Sequence, residues 1–512
     1  MEAATLGRGG PAAYAQALRE LAKTRSRVFW IVAGLTALAA TLRFATLGVQ
    51  AYHHDEIVTA SRVLRGGFGH AMDAVGFSES APPLYYALAW FWTQVTGTGE
   101  FGLRSLSAVA GVATVPVAYL VGLELRGRRA GLMTAALVAV NPMLLWYSQE
   151  ARAYALLILL CSLSLLYCLR ALEQGGRRNF VLWGIASGLA LATHYFAIFP
   201  LAAEAIWLLW RRGRASLAGL GILAVACLAL APLAIHQMSL AHAEWIGNFT
   251  LGHRLWETAA TFVTGETTDI VARPEQPELA FVPLALAVAA LALLALRGDR
   301  AERRAAAVPF SLALAAICVP VLLAVVPAGK DFVLARNVVP ALVPLLAVVA
   351  VALTLPAARR LGTAIGAALL AYSLGFCVWA SLATDVHRPA WDDVAAQIGE
   401  PEAPRATVTW LLGLASLRYY LSTGAIQVTP VDGYEWLVHE VDFVSDGKAP
   451  PPAARLLGPG FREAGLERVG RLYVRRYERP GPGLAPLRLR QLRDAELGFR
   501  TNGVLLDGIG PG

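Results

Sequence analysis

The chain has 512 residues, of which 56% are hydrophobic and 16% charged, and its mean hydropathy is +0.53. This composition excludes an ordinary soluble enzyme and indicates a protein that crosses a membrane many times. The formal net charge of +8 would suggest a nucleic-acid partner if the basic residues formed one patch, but they fall into short clusters between apolar runs. We therefore expect the lipid bilayer as a partner and no nucleic acid.

The apolar runs occupy residues 28–382, and the segments on either side differ from them in composition. We expect a cytoplasmic segment 1–27, a transmembrane catalytic domain 28–382 and a soluble domain 383–512. Six short clusters of Lys and Arg mark the cytoplasmic loops, which requires an even number of crossings between successive clusters. This rule predicts eleven crossings, at about 28–48, 105–123, 130–147, 153–170, 215–235, 280–297, 306–326, 338–357 and 362–382, with a two-helix hairpin at 180–210.

One apolar run, 82–98, does not fit as a crossing. It begins with Pro82 and Pro83 and is rich in Tyr, Trp and Phe, which is typical of a helix lying in the membrane interface. With this run on the surface, the N-terminus is cytoplasmic and the loops 49–104 and 236–279, together with 383–512, lie outside. We expect this arrangement in a plasma or inner membrane.

The first outer loop carries four adjacent polar residues just past the first crossing: His53, His54, Asp55 and Glu56. Charge beside a membrane is costly, so it usually marks function. A carboxylate here can take the proton from an acceptor hydroxyl. Because adjacent helical side chains diverge, we expect Asp55 and Glu56 to have different roles. Alternatively, both acids complement the dipole at the start of a short helix over 57–65.

The predicted topology places further polar side chains on the same side: Arg104, Glu150, Arg152, His194, Tyr195, Lys330 and Arg336. An arginine at a membrane boundary often reaches towards lipid head groups, but several arginines together with carboxylates indicate a phosphate-binding cavity. His194 would line this cavity, or else it is a water-contacting residue at the apex of the hairpin. No metal-ligand spacing is present, so a divalent metal ion is left open and no other cofactor is expected.

Residues 383–512 are charged and rich in Pro and Gly. Their pattern predicts a helix over 390–399, a strand over 406–412, a helix over 415–421 and a strand over 468–477. The sequence therefore predicts a small α/β domain. It contains no phosphate loop or nucleotide fingerprint, which favours a lipid-linked over a nucleotide-linked sugar donor.

Several motifs along the chain resemble those of the GT-C glycosyltransferases. They are Asp55-Glu56, Pro82-Pro83-Leu84-Tyr85, Gly102-Leu103-Arg104, Tyr147-Ser148-Gln149-Glu150-Ala151-Arg152, Thr193-His194-Tyr195-Phe196, Arg336-Asn337-Val338-Val339-Pro340 and Arg388-Pro389-Ala390-Trp391-Asp392-Asp393. Their order, from about 40 to 395, is similar to that of bacterial members of the protein O-mannosyltransferase and lipid A aminoarabinose transferase group, of the membrane-bound mannosyltransferase type.

The resemblance implies an all-α GT-C membrane domain that transfers a sugar from a polyprenyl phosphate on the non-cytoplasmic side. It also implies that Asp55 is the catalytic aspartate and Glu56 the second acid of the pair. In one departure, Ala81 stands where aminoarabinose transferases have a lysine that helps to hold the lipid phosphate. The donor phosphate is therefore expected to bind other cations, namely Arg336, Arg152, Arg104 or Lys330.

These observations predict an integral membrane glycosyltransferase that moves mannose or another hexose to a glycan, lipid or protein of the cell envelope. Because a polyprenyl phosphate leaves without protonation, Asp55 as a single general base suffices for direct displacement with inversion. A retaining mechanism with Glu56 as nucleophile stays open. One alternative is a transporter or flippase for a lipid-linked saccharide, which typically shows internal repeats and polar breaks near the midplane. The other is a catalytically inactive scaffold for envelope assembly.

Overall fold

The computed structural model describes residues 11–240, 244–266, 278–326, 331–421, 425–428, 435–453, 457, 460–488, 492 and 502–508. Within these ranges the α-helices are α1 Pro11–Phe44, α2 His54–Val58, α3 Phe68–Ser78, α4 Leu84–Thr96, α5 Glu100–Arg126, α6 Arg128–Val140, α7 Pro142–Ser148, α8 Tyr154–Gln174, α9 Arg177–Thr193, α10 Ile198–Arg212, α11 Leu217–Ser239, α12 Leu251–Thr264, α13 Glu278–Arg297, α14 Arg300–Val325, α15 Ala335–Val338, α16 Leu342–Leu353, α17 Arg359–Leu382, α18 Trp391–Ile398 and α19 Leu411–Tyr420. The strands are β1 Arg405–Trp410, β2 Ile426–Val428, β3 Glu435–Val438, β4 Glu440–Asp446, β5 Arg462–Val469, β6 Leu472–Glu478, β7 Ala485–Arg488 and β8 Asn502–Asp507.

A helix stands at each of the predicted crossings. In the described part of the chain, eight stretches are long and apolar enough to cross a membrane, or nine if the bent pair α6 and α7 forms one crossing. Two features account for the difference from eleven. Helix α9 has 17 residues, and the stretch Tyr195–Ser239 counts once although a turn over Gly213–Ser216 divides it into α10 and α11. The number of eleven crossings stays a prediction.

The bend between α6 and α7 measures 57° and has a local cause. Asn141 leaves the helical conformation and its side-chain oxygen accepts a hydrogen bond from the Leu144 N–H at 3.0 Å, while Pro142 occupies the first turn of α7. Proline has no N–H to continue the preceding helix. The Asn141 amide also donates to the carbonyl oxygen of Phe262 at 3.0 Å, which ties the bend to α12.

Helix α4 is too short to cross a membrane. Its 13 residues rise about 20 Å, against about 30 Å for the hydrocarbon core. One face of α4 is buried against α3 and α5, whereas Leu88, Phe91 and Val95 are exposed. An apolar face left outside the protein, on a helix of this length, is typical of a helix lying in the membrane interface.

Small residues allow the membrane helices to approach closely. A Cβ added at Gly184 of α9 would lie 2.7 Å from the carbonyl oxygen of Gly219 in α11. A Cβ added at Gly122 of α5 would lie 2.8 Å from the Cα of Gly131 in α6. Such contacts stabilise helix pairs where the surrounding lipid removes the hydrophobic driving force.

The C-terminal region forms an α/β domain, as predicted. Six strands form a mixed sheet in the order β2-β8-β1-β4-β6-β5, in which β1 and β4 are parallel. Helices α18 and α19 pack on one face of it around Trp391, Leu414 and Leu417. One predicted element was wrong: residues 468–477 are not a single strand, because Gly470 with a φ of 59° turns the chain between β5 and β6.

The α/β domain contacts the first outer loop directly. The Tyr52 N–H donates a hydrogen bond to the Tyr420 hydroxyl at 2.7 Å, and that hydroxyl donates to the Glu100 carboxylate at 2.6 Å. Since α19 also packs on α2, the domain holds the loop that carries Asp55.

Candidate active site

Helix α2 directs the two adjacent acids into different surroundings. The Glu56 carboxylate accepts a hydrogen bond from the His53 N–H at 2.9 Å, which fixes the start of the helix. Glu56 is completely buried, whereas a quarter of the Asp55 side chain is exposed. The expectation that the two acids differ in role therefore has a clear structural basis.

Glu56 forms a closed network. Arg104 donates to both carboxylate oxygens from Nε and Nη2, each at 2.8 Å, and the Ala151 N–H donates at 2.8 Å. Burial disfavours the charge, but Arg104 and Arg388 outweigh it and lower the pKa of Glu56 to about 2. With these donors around it, Glu56 connects α2, α5 and the start of α8 and is badly placed to attack a sugar.

The hydrogen-bond donors of Arg104 are likewise all occupied by protein groups. Besides Glu56, its guanidinium donates to the carbonyl oxygens of Leu47 at 3.2 Å, Gln50 at 2.6 Å and Ala51 at 2.9 Å. The side chain is 1% exposed. This geometry disfavours the predicted contact of Arg104 with the donor phosphate, and it matches an arginine that orients Glu56 and the end of the first crossing.

Asp55 is partly exposed and faces a second arginine. Its Oδ2 lies 3.1 Å from Nη1 of Arg336, and its Oδ1 lies 3.3 Å from Nε2 of His54. Although burial opposes ionisation, His54, Arg152 and Arg336 hold the pKa of Asp55 well below its ordinary value. Asp55 is therefore a carboxylate at any physiological pH, and its lone pairs are partly accessible.

An ion pair between Arg254 and Asp331 holds the segment that carries Arg336. Arg254 of α12 donates to both carboxylate oxygens of Asp331, at 2.5 and 2.6 Å, and to the Val333 carbonyl oxygen at 3.1 Å. These bonds fix the segment that enters α15. Arg336 then lies over the ring of Trp245, at 5.6 Å from its centroid, with a quarter of the side chain exposed. Its partly open guanidinium is available to an anion.

Arg152 lies on the other side of Asp55. Its Nη1 is 2.8 Å from the Glu79 carboxylate and 3.3 Å from the Thr59 hydroxyl, and its guanidinium lies over the Tyr86 ring. The Tyr86 hydroxyl donates to the same Glu79 carboxylate at 2.7 Å. Arg152 therefore connects α3, α4 and α2, with part of its charge directed towards Asp55.

Two further acids of this cluster have their charged form disfavoured. Burial and the nearby Glu266 raise the pKa of Glu150 to about 8, despite the opposing charge of Arg388, whose Nη2 is 3.7 Å away. Burial likewise raises the pKa of Glu266, whose carboxylate accepts a hydrogen bond from the Tyr147 hydroxyl at 2.6 Å. Glu150 is therefore favoured in the neutral form near pH 7 and adds little negative charge, and burial disfavours the charge of Glu266 as well.

The motif at 388–393 contributes Arg388 to the site. Its guanidinium lies 3.9 Å from Glu56, stacks on the Trp146 ring at 4.3 Å and donates to the Gln149 carbonyl oxygen at 3.1 Å. Its Nε and Nη2 are buried without a hydrogen-bond partner among the described residues. The C-terminal domain thus begins with a cation between the acids of the site.

The hairpin apex contributes one residue to this cluster and directs another away. His194 is buried beside Tyr154, and burial together with Arg152 and Arg336 lowers the pKa of His194 to about 3. It is therefore a neutral residue near both arginines, and the water-contacting alternative is wrong. The Tyr195 hydroxyl, in contrast, donates a hydrogen bond to the side-chain oxygen of Gln237 at 2.8 Å. Contrary to the prediction, Tyr195 therefore does not join the cluster around Asp55.

Three side chains form a candidate metal site within the described residues. The ligand atoms of His53, His54 and Asp55 all lie within 4.8 Å of one another, and imidazole and carboxylate are ordinary ligands of Zn²⁺. These residues fit a divalent cation, which would polarise a substrate oxygen, if Asp55 exchanges Arg336 for the ion. Lys330, the remaining predicted phosphate ligand, lies outside the described residues.

Sequence reasoning missed Arg388, Glu266, Tyr147 and Tyr154 as site residues. Arg388 stood within a noted motif, and Glu266 stood within the long outer loop, but neither had a spacing that relates it to Asp55. Such contacts between distant segments depend on how the helices pack, which local periodicity does not encode.

Comparisons with known proteins agree with this architecture. Residues 80–238 match the model of the dolichyl-phosphate-mannose-protein mannosyltransferase family. ArnT from Cupriavidus metallidurans in the apo state is 17% identical, with a TM-score of 0.54, over 88% of this chain and 98% of that chain. The same protein bound to undecaprenyl phosphate is 17% identical, with a TM-score of 0.51, over 87% and 97%. No significant match was found among curated proteins.

The chain therefore has the GT-C fold of membrane glycosyltransferases, and both the predicted resemblance and the predicted fold class are confirmed. It is a multi-pass membrane protein. The match to the family model covers the segments that carry Glu150, Arg152 and His194.

Proposed function

We propose that this protein transfers a sugar, with mannose or another hexose as the expected one, from a polyprenyl-phosphate donor to an acceptor of the cell envelope. The acceptor would be a glycan, lipid or protein. The observation that carries the proposal is the pair of Asp55 and Arg336, 3.1 Å apart and each about a quarter exposed, in the GT-C fold. A base and a phosphate ligand are then adjacent, as sugar transfer from a phosphate requires.

In the proposed step, an acceptor oxygen forms a bond to the anomeric carbon as the bond from that carbon to the phosphate oxygen breaks. The acceptor proton passes to Asp55. The electron pair of the broken bond stays on the polyprenyl phosphate, which gains one negative charge. Arg336, assisted by Arg152, stabilises this developing charge, so the leaving group needs no protonation.

Direct displacement with inversion agrees with the surroundings of the second acid. A retaining mechanism requires a nucleophilic carboxylate as well as the acid–base group. Glu56 is fully buried and surrounded by donors from Arg104, His53 and Ala151. We therefore assign Glu56 and Arg104 to positioning and propose inversion with Asp55 as general base.

Donor binding would also increase the basicity of Asp55. His54, Arg152 and Arg336 keep the pKa of Asp55 low, which makes it a weak base. A donor phosphate carries its own negative charge and competes for these arginines. As Arg336 turns to the phosphate, the pKa of Asp55 rises, so base strength is coupled to the presence of substrate.

We place the reaction on the outer face of a plasma or inner membrane, because the basic clusters predict the opposite ends of the helices to be cytoplasmic. Helix α4 and the Asp55–Arg336 pair would then lie at head-group depth, where a polyprenyl phosphate presents its sugar. Undecaprenyl phosphate is bound in the ArnT structure of the same fold, which supports this donor class.

The proposal is tested with the full chain in lipid nanodiscs and a panel of polyprenyl-phosphate sugars that carry a radiolabelled hexose. We expect release of polyprenyl phosphate that depends on acceptor, and a product anomer opposite to that of the donor. Vesicles that move the intact lipid-linked sugar between leaflets, with no cleavage of any donor, would instead support a flippase and contradict the proposal. Retention of configuration would contradict the inverting step alone.

A further inference from the structure

A charged cavity lies at the opposite end of the helix bundle from Asp55. Its volume is about 530 Å³, and its lining includes Leu123, Arg126, Arg128, Arg129, Glu302 and Thr354. Helix α5 connects the two ends: its 27 residues extend about 40 Å from Glu100 to Arg126. The cavity is therefore distinct from the Asp55 site and takes no part in the proposed transfer.

The charges in this cavity are unbalanced. Arg126 forms an ion pair with Glu302 at 3.1 Å, and the other oxygen of Glu302 accepts a hydrogen bond from the Asp299 N–H at 2.7 Å. Arg128 and Arg129 are exposed and have no ion-pair or hydrogen-bond partner in the part of the chain that the structure describes. Three guanidinium groups thus face one carboxylate, which is already satisfied.

The rest of the lining suits a lipid rather than a fully hydrated ion. Leu123, Val351 and Pro356 provide apolar walls. The cavity lies where α5 and α16 end and α6 and α14 begin, which is the depth expected for lipid head groups. Arginine binds phosphate oxygens in a bidentate manner. Basic pockets between membrane helices on the cytoplasmic side bind anionic head groups.

We propose that this cavity binds the phosphodiester head group of an anionic phospholipid from the cytoplasmic leaflet. Arg128 and Arg129 would bind the phosphate, and the apolar walls would contact the first part of the acyl chains. Since α5 carries both Arg126 and Arg104, an occupied site would also stabilise the helix that positions Glu56.

The chain contains a matched control for this proposal. Gly127, Arg128 and Arg129 begin α6, and the same tripeptide sequence, Gly176, Arg177 and Arg178, begins α9. Arg177 and Arg178 are also exposed but are not part of the cavity lining. A general attraction of anionic lipid to basic helix starts would affect both pairs equally, whereas a built site depends on the first pair.

The experiment is a lipid titration of the full chain followed by native mass spectrometry. It compares phosphatidylglycerol with phosphatidylcholine of the same acyl chains. For the wild type we expect a tightly retained phosphatidylglycerol. The Arg128→Gln/Arg129→Gln variant should weaken that binding roughly 30-fold, since each arginine contributes about fivefold. The Arg177→Gln/Arg178→Gln variant should change it by less than about twofold.

Two further arms complete the test. Thr354→Trp fills the cavity and keeps every charge, so it should also reduce lipid retention, and thermal unfolding of each variant confirms that it is folded. Equal losses in both arginine pairs would overturn the proposal in favour of general attraction. Displacement of the lipid by millimolar inorganic phosphate would overturn it in favour of a small-anion site.

Discussion

The arginines at the two ends of the helix bundle differ in whether they have acidic partners. At the Asp55 end, Arg104 pairs with Glu56, Arg152 with Glu79 and Arg336 with Asp55. At the other end, Arg128 and Arg129 have no acidic partner among the described residues. Buried charges are costly unless they are paired, so the paired end retains a rigid set of groups. At the other end Arg126 pairs with Glu302, but Arg128 and Arg129 stay exposed, where an incoming anion can contact them.

The paired end itself contains two kinds of pair. Glu56 and Arg104 are buried and saturated with hydrogen bonds, whereas Asp55 and Arg336 are each about a quarter exposed. Of the two adjacent residues of α2, Glu56 thus belongs to a buried, structural pair and Asp55 to an accessible pair. The difference teaches that charge in a membrane protein marks function only where part of its bonding capacity is left to a ligand. The predictions below test that distinction.

The largest effect is expected from breaking the buried ion pair of Glu56 and Arg104. Arg104→Leu leaves Glu56 buried without its main partner and should lower the free energy of unfolding by about 3–5 kcal/mol. Resistance to unfolding in a denaturing detergent measures this loss, and Arg65→Leu, at an exposed position of the same outer loop, is the control. The double variant Glu56→Leu/Arg104→Leu should lose less than the sum of its single variants. A change no larger than that of the control would show that Glu56 and Arg104 are not a structural pair.

A smaller effect is expected from the accessible pair. Arg336→Ala should weaken donor binding by about 1–3 kcal/mol, roughly 5- to 150-fold, since a charge-assisted contact to phosphate is lost. The acceptor KM should change little, and thermal stability should stay close to that of the wild type. Donor affinity measured by fluorescence-detected competition separates these quantities. An unchanged donor affinity would remove Arg336 from the phosphate site.

The smallest effect concerns pH. With the pKa of Glu150 raised to about 8, this carboxyl is protonated at pH 7 and becomes charged as pH rises through 8. The new negative charge repels the donor phosphate, so the donor KM of the wild type should rise a few-fold above pH 8. Glu150→Gln cannot ionise and should show a flat donor KM over that range. Identical alkaline profiles of the two proteins would contradict this role of Glu150.

The sequence predicts the helices of the membrane domain well, because long apolar runs and basic clusters are strong local signals. The short helix within 82–98 and the helices of the C-terminal domain also follow from local pattern, whereas the position of 82–98 at the membrane surface stays a prediction. The division of 468–477 into β5 and β6 at Gly470 does not follow from local pattern, because the alternation of apolar and polar residues continues through the tight turn. The roles of the arginines depend on side-chain partners: Arg104 and Arg336 look alike in sequence, and only packing shows that one is enclosed and the other accessible.

The central claim is that Asp55 is the accessible base beside the donor phosphate. The most direct test measures single-turnover sugar transfer and donor affinity on the Asp55→Asn variant, with Asp73→Asn at an exposed position of α3 as the control. The rate should fall by a factor of about 10² or more. Donor affinity should be retained or increased, because Arg336 is released from its carboxylate. A transfer rate near that of the wild type would contradict the assignment of Asp55.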